Sequence, residues 1–174
     1  MKESKNIRLR AIEPQDVDFI LETENDPENW RLSETLFPFS RYEIEDYVFN
    51  GNHDIFAAKQ LRLIIEEKAS SKQAGSIDLF DFNPLHKRAG VGIIINKAYR
   101  RKGYAAEALE ILKDYVFRTL DLHQLYCNIQ EENAASIELF EKAGFVKQCV
   151  KKDWEYFEGK YRNVFFYVIF NDLH

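Results

Sequence analysis

With 174 residues, 45% apolar and 30% charged, the chain has the size of one domain and can bury a core, which excludes a disordered or membrane-embedded protein. Its 24 Lys and Arg against 29 Asp and Glu leave a net charge of −5. That balance argues against a general nucleic-acid binder and suits a small-molecule or protein-amine partner better. No run approaches the ~20 consecutive apolar residues of a spanning helix, and the N-terminal MKESKNIRLRA lacks the apolar stretch of a secretory leader. Cys127 and Cys149 lie far apart with no CxxC and no neighbouring His cluster. We expect reduced thiols, a cytoplasmic location and no metal site.

Ile7, Leu9 and Ala11 alternate with Arg8 and Arg10, the period of a short strand. Glu13-Pro14-Gln15-Asp16 then opens a helix through about Glu24, and Asp26-Pro27-Glu28-Asn29 reads as its break. A second helix is expected from Tyr42 to Phe49, stopped by Asn50-Gly51, a pair that tolerates left-handed backbone. Strands follow at Leu61–Glu66, Ala74–Phe82 and Ala89–Ile95, the first two as a hairpin across Lys68–Gln73. Gly103–Leu120 is the clearest helix, with Ala105, Leu109, Leu112, Val116 and Leu120 near one face. Gln124–Ile129 reads as a strand and Asn133–Ala143 as a helix ended by Gly144. Two last strands, Phe145 to about Trp154 and Asn163–Phe170, flank a turn at Glu158-Gly159-Lys160. The order predicts a mixed sheet with helices on its faces.

The most informative stretch runs from Gly92 to Ala105. A buried strand enters the basic loop Tyr99-Arg100-Arg101-Lys102, then Gly103, then small residues that open the long helix. Such a helix N-terminus offers outward backbone N–H groups to an anion, Gly103 permits close approach, and Arg101 and Lys102 add charge. A solvated basic turn would carry the same residues.

Arg100-x-x-Gly103-x-Ala105 resembles the (Gln/Arg)-x-x-Gly-x-(Gly/Ala) pyrophosphate motif of the GNAT N-acetyltransferases. Downstream, Asn133-x-x-Ser136 through Leu139-Phe140-x-x-x-Gly144-Phe145 is similar to that family's second motif, in the right order and spacing. The resemblance covers roughly Ala74 to Asn171. Within the superfamily, His86-Lys87-Arg88-Ala89 and Tyr156 to Asn163 are most similar to the spermidine and ribosomal-protein alanine acetyltransferases.

What this likeness implies is an α/β (α+β) GNAT fold in one domain over residues 1–174. It has a mixed sheet of about seven strands, splayed in the middle, with helices on both faces. Acetyl-CoA would enter between the splayed strands Ala89–Ile95 and Gln124–Ile129. Its pantetheine arm would pair with the backbone of Gly92, Ile93, Ile94 and Ile95. Its pyrophosphate would meet Arg100 and the N–H groups of Arg101, Lys102, Gly103, Tyr104, Ala105 and Ala106. Asn133, Phe140 and Lys142 would touch the pantetheine and adenine side. A backbone N–H near Ile94 or Ile95, with Ile95 favoured, would steady the oxyanion formed when an amine attacks the thioester. The partners implied are acetyl-CoA and an amine, small molecule or protein N-terminus. A homo-oligomer is compatible, and neither nucleic acid nor membrane has a role.

Two departures stand out. Many family members carry a Tyr acid where this chain has Phe140, and the spermidine enzymes carry a Glu aligned with Gly90. Ser136 matches the position where the alanine enzymes use Ser to protonate the thiolate, although Ser also suits the first turn of a helix. Candidate bases are Asp78 and Asp81, placed on opposite faces by alternation, and Glu131 and Glu132; none is singled out. His86 and His123 lack a visible partner, and Tyr126 reads as packing. Glu22, Glu24, Asp26, Glu28 and Glu34 would attract a cationic amine or simply line a solvated helix face. A GNAT-fold module that holds CoA with weak or no catalysis is the alternative to an enzyme.

Overall fold

The computed structural model describes residues 3–33 and 35–172. In chain order the elements are β1 (Ile7–Arg10), α1 (Val17–Glu24), α2 (Pro27–Ser33), α3 (Arg41–Asn50), α4 (Ile55–Ala58), β2 (Leu61–Glu67), β3 (Lys72–Asn83) and β4 (Arg88–Ile95). They continue with α5 (Tyr104–Arg118), β5 (Gln124–Gln130), α6 (Ala134–Lys142), β6 (Val146–Phe157) and β7 (Lys160–Phe170). The strands form one sheet of seven in the order β1-β2-β3-β4-β5-β7-β6. Among the described residues only β4 and β5 pair in parallel. No helix among the described residues is long and apolar enough to cross a membrane.

One face of the sheet carries Leu63, Ile65, Ile77, Leu79, Val91, Leu125, Cys127 and Tyr167, all buried against α5 and α6. Leu109, Leu112 and Val116 supply the inward stripe of α5, each fully buried. Removing such a side chain from water contributes roughly 1.5–3 kcal/mol. The opposite face holds a smaller cluster of Val17, Ile20 and Ile44, from α1 and α3. Helices thus cover the β1–β4 half of this second face, and the β5–β7–β6 half carries polar and aromatic side chains around the buried Val164 and Val168.

Three expectations are corrected. α1 does end at Glu24, but the segment Asp26-Pro27-Glu28-Asn29 that follows is not a loop and starts a further helix, α2: Asp26 Oδ1 accepts from the Glu28 N–H at 3.0 Å, and Pro27 takes the first helical position, where its missing N–H costs nothing. Gly51 is extended (φ −60°) rather than left-handed; its glycine is required by space, since a Cβ would lie 2.3 Å from the Tyr47 carbonyl oxygen. Asp78 and Asp81 are not split between faces. A bulge between Phe80 and Asn83, with Asp81 at φ +50°, inserts an extra residue and returns Asp81 to the face shared by Asp78 and Phe80. The Glu158–Gly159 turn is as expected, both residues having positive φ (50° and 78°) as a tight hairpin requires.

The N-terminal strand is fixed by a buried polar knot. Asp16, fully inaccessible, accepts from Arg10 at 2.6 and 2.7 Å, from Gln73 at 2.8 Å and from the Glu13 N–H at 2.8 Å. Arg10 also pairs with buried Glu66. Burial alone would raise the Asp16 carboxyl, but the bonds from Arg10, Gln73 and Glu13 outweigh it and hold it below the ordinary carboxylate value. The stability this contributes is therefore present above the unfolded-state value and lost as pH falls through the folded one. Asp16→Asn leaves Arg10 short of a partner and should cost about 3 kcal/mol in denaturant unfolding, with most of the penalty absent once the carboxyl of the parent is protonated in acid.

Candidate active site

The β4–β5 ladder holds for three pairs, Arg88↔Gln124, Ala89↔Leu125 and Gly90↔Tyr126, and then stops. Beyond Gly90 the strands diverge into a gap whose apex is the Gly90–Tyr126 pair. The Asn96 N–H bonds the Ala74 carbonyl at 2.9 Å, which sets the phase of the β3–β4 ladder. By alternation Gly92 and Ile94 turn their backbone groups to β3, and Ile93 and Ile95 turn theirs into the gap. The expected stretch Gly92–Ile95 thus divides: two residues are used by the sheet and two line the opening. The Ile95 carbonyl accepts from Arg100 Nε at 3.2 Å.

At the mouth, Gly103 (φ +83°) caps α5 and Arg101 is also left-handed (φ +63°). Glu107 makes the first helical bond, to the Gly103 carbonyl at 3.1 Å. The N–H groups of Arg101, Lys102, Gly103, Tyr104, Ala105 and Ala106 donate to no described main-chain group. Half-buried Ala105 and exposed Ala106 leave that backbone uncovered, and a Cβ on Gly103 would meet nothing within 4 Å. Uncovered, unpaired N–H groups at a helix N-terminus can receive an anion. The side chains contribute less than expected. Lys102 Nζ lies 3.5 Å from Glu67 and 4.7 Å above the Tyr99 ring, and Arg100 faces Glu28 at 3.9 Å. Tyr104 turns inward, its hydroxyl donating to Glu67 at 2.5 Å; that bond, with burial, pushes it up to about 12. Only its N–H is offered to a ligand.

On the β5 side, Asn133 caps α6, its Oδ1 accepting from the Ser136 N–H at 3.1 Å. The cap is therefore Asn133, and the half-buried Ser136 hydroxyl makes no hydrogen bond to a described residue. Phe140 is 3% exposed and packs edge-on against Phe145 at 5.0 Å, so its ring belongs to the core. Lys142 is exposed and pairs with Glu138 at 2.5 Å.

On the face away from α5 and α6, the apex is roofed by aromatics. A Cβ on Gly90 would collide with the Phe80 ring at 2.2 Å, so the ring occupies the space a side chain at position 90 would need. Tyr126 meets Phe80 (5.8 Å) and Phe166 (5.5 Å) and donates from its hydroxyl to Asp81 Oδ2 at 2.8 Å. Tyr126 is thus more than packing. Burial and Asp81 push its hydroxyl upward, which keeps it a donor. Asp78 is committed to Arg62 (2.9 and 3.1 Å), which also holds Glu24 at 2.5 Å. Glu132 pairs with Arg162. Exposed Asp81 is a carboxylate at the apex that no cation among the described residues pairs.

The acidic stretch does approach the site. Glu22 and Asp26 share a cleft of about 180 Å³ with Ile94, Ile95, Lys97 and Arg100. Lys97 bridges Asp26 at 3.3 Å and Glu28 at 3.0 Å; Glu34 lies outside the described residues. A second cleft, about 220 Å³ beside Tyr47, His53 and Arg62, includes none of the predicted cofactor residues. His86 and His123 are exposed, and no cluster of metal-ligating residues exists among the described residues. Cys127 is buried and Cys149 exposed, both free, and burial pushes the Cys127 thiol up.

A splayed parallel pair with a backbone anion site at its mouth defines an acyl-CoA-dependent transferase fold. Residues 6–146 match the model of the acetyltransferase (GNAT) domain, and the chain belongs to that family. It is an acetyl-CoA-dependent N-acetyltransferase, with acetyl-CoA as co-substrate. Among relatives, spermidine N(1)-acetyltransferase of Escherichia coli K12 is 28% identical over 98% of this chain and 89% of its own length. The Vibrio cholerae enzyme of the same name is 27% identical over 92% and 91%. The solved structure of Vibrio cholerae spermidine N-acetyltransferase with CoA and spermine superposes with a TM-score of 0.85 at 26% identity, covering 97% of each chain.

Gly103→Glu places a carboxylate among the free N–H groups, into open space. We expect the variant to fold, at a cost of about 1–2 kcal/mol for a side chain on left-handed backbone, and to lose the stabilisation that acetyl-CoA should give the parent. That gain is about 2.7 kcal/mol at a hundredfold excess over Kd. Melting temperature against acetyl-CoA concentration measures it; equal shifts in the two proteins would disprove the loop's role.

Proposed function

We propose that this protein acetylates a primary amine by direct attack on the thioester within a ternary complex. One observation carries the reading: a single gap has unpaired backbone N–H groups at its mouth and an exposed carboxylate, hydrogen-bonded by a phenol, at its apex. Ile95 to Gly90 spans about 16 Å of strand, comparable to an extended pantetheine arm. A pyrophosphate on the N–H groups of residues 101–106 therefore brings the thioester near the apex.

The backbone of Ile95 pairs the arm. The N–H of Ile93, nearer the apex, takes the thioester oxygen as it gains charge, which moves the oxyanion role from Ile95 by one turn of the alternation. Asp81, exposed beside Tyr126, accepts the proton of the incoming ammonium directly or through water. The second proton of the nitrogen, shed as the tetrahedral intermediate collapses and the carbon–sulfur bond breaks, reaches the departing thiolate through the Ser136 hydroxyl on the first turn of α6, which gives up its own proton and takes that one, by way of water, in exchange. Phe140, sealed in the core, is a structural replacement for the family tyrosine. Similarity to the spermidine enzymes supports a small amine as acceptor, with polyamines in the first panel. The dodecameric solved structure of the Vibrio cholerae relative supports self-association of this chain too. Two free cysteines support a reducing, cytoplasmic location.

Thiol release from acetyl-CoA with a panel of amines tests the reading. Asp81→Asn should lower kcat/KM for the amine by about 10²–10⁴ and leave the acetyl-CoA KM in place. Ser136→Ala should lower kcat at saturation of both substrates; unchanged kcat with altered melting would make Ser136 a helix residue only.

A further inference from the structure

Beyond the apex, the β5 lip of the gap continues on the aromatic face with Asn128, two residues past Tyr126 and about 7 Å further along the strand. An ammonium is fixed there. Lys151 Nζ donates to Asn128 Oδ1 at 2.8 Å and lies 4.8 Å from the Trp154 ring centroid and 5.4 Å from that of Phe166. All three partners are uncharged. No described carboxylate pairs with Lys151. Arg162 belongs to the same face, two residues before Val164, the cross-strand partner of Lys151. Its guanidinium pairs with Glu132 and lies 5.4 Å from the Phe157 ring, and its buried Nε has no hydrogen-bond partner.

The apex therefore presents a carboxylate, Asp81, and the adjoining lip an ammonium, Lys151, whose described partners are all uncharged, while the carboxylates further along the lip, Glu132 and Glu155, are held by Arg162 and Gln130. A polyamine suits this poorly. The aromatic faces that would receive its second ammonium already hold Lys151, and the Phe80 ring replaces any carboxylate at position 90. A zwitterion fits both ends: its amine at Asp81, its carboxylate at Lys151. We infer that the acceptor is a small primary amine bearing a carboxylate several bonds from its nitrogen, and that Lys151 sets this preference. The inference rests on the acetyl-transfer reading above.

Matched acceptors test it: γ-aminobutyrate against putrescine and δ-aminovalerate against cadaverine, each pair sharing a carbon chain, with spermidine alongside. The parent should favour the amino acid in kcat/KM, on the order of tenfold, as one charge-assisted hydrogen bond implies. Lys151→Met keeps the apolar stem and should erase the preference through the amino acid's KM, with the acetyl-CoA KM and melting temperature retained. Lys151→Glu should reverse it. Robust thiol release that favours the diamines in the parent overturns the inference and leaves acetyl transfer standing. So does a preference for the amino acids that survives both substitutions. Thiol release with none of the amines, from protein that acetyl-CoA still stabilises, overturns the acetyl-transfer reading and this inference with it.

Discussion

The molecule is organised around a ladder that stops. β4 and β5 share three pairs and separate, which leaves backbone groups of Ile93 and Ile95 without a strand partner in the middle of a sheet. An unpaired backbone group away from water costs free energy, so the interruption must be held open by its surroundings. The core beneath does this: α5 and α6 pack on β3, β4 and β5 through Leu109, Leu112, Val116 and Phe140 and set the two strands at their separation. Lys113 adds a direct tie, from α5 to the Ala143 carbonyl at the end of α6, at 2.7 Å. The gap is a rigid consequence of helix packing on one side, exposed for use on the other.

Polar knots perform the same task on the helical half of the second face. Arg62 is largely shielded from water, yet Asp78 and Glu24 outweigh the cost of that desolvation and keep it charged. It thereby joins α1 to β2 and β3 and fixes where α1 and α2 stand relative to the β4 lip. Asp16 and Arg10 do likewise for β1. Such buried pairs add little net stability compared with apolar packing, but removing one partner is costly, so they serve position more than strength.

Much of this was legible in the chain itself. Strong periodicity located α5, and the paired motifs around Gly103 and Asn133 located the starts of α5 and α6 beside the gap, because a helix start with exposed backbone favours a capping residue followed by small ones. What was not legible depended on contacts remote in sequence. Alternation put Asp81 on the wrong face because nothing local announces a bulge. Asp26-Pro27 serves as a helix stop and as a helix start, and here it follows the end of one helix and opens the next. Phe140 looked like a lost acid from its motif; its burial against Phe145 shows a packing residue. Lys102 and Tyr104 lay within the phosphate motif, yet Glu67 from a strand far away claims both side chains.

The outer strand β6 runs for 12 residues with one edge of its backbone unpaired and Val146, Val150, Trp154 and Tyr156 exposed along it. A long, flat, apolar border of this kind invites further strands to add without limit, the first step toward fibrous assembly. Two breaks in register interrupt it, at Lys147/Cys149 and at Lys151/Glu155, with Asp153 turned to φ +49° within the second. Lysines 147, 151 and 152 stud the same strand. The border is thus crooked and charged where it would otherwise be a template. Any neighbour that docks on this rim must match its local shape with side chains, so orderly, closed association is favoured over runaway growth of the sheet.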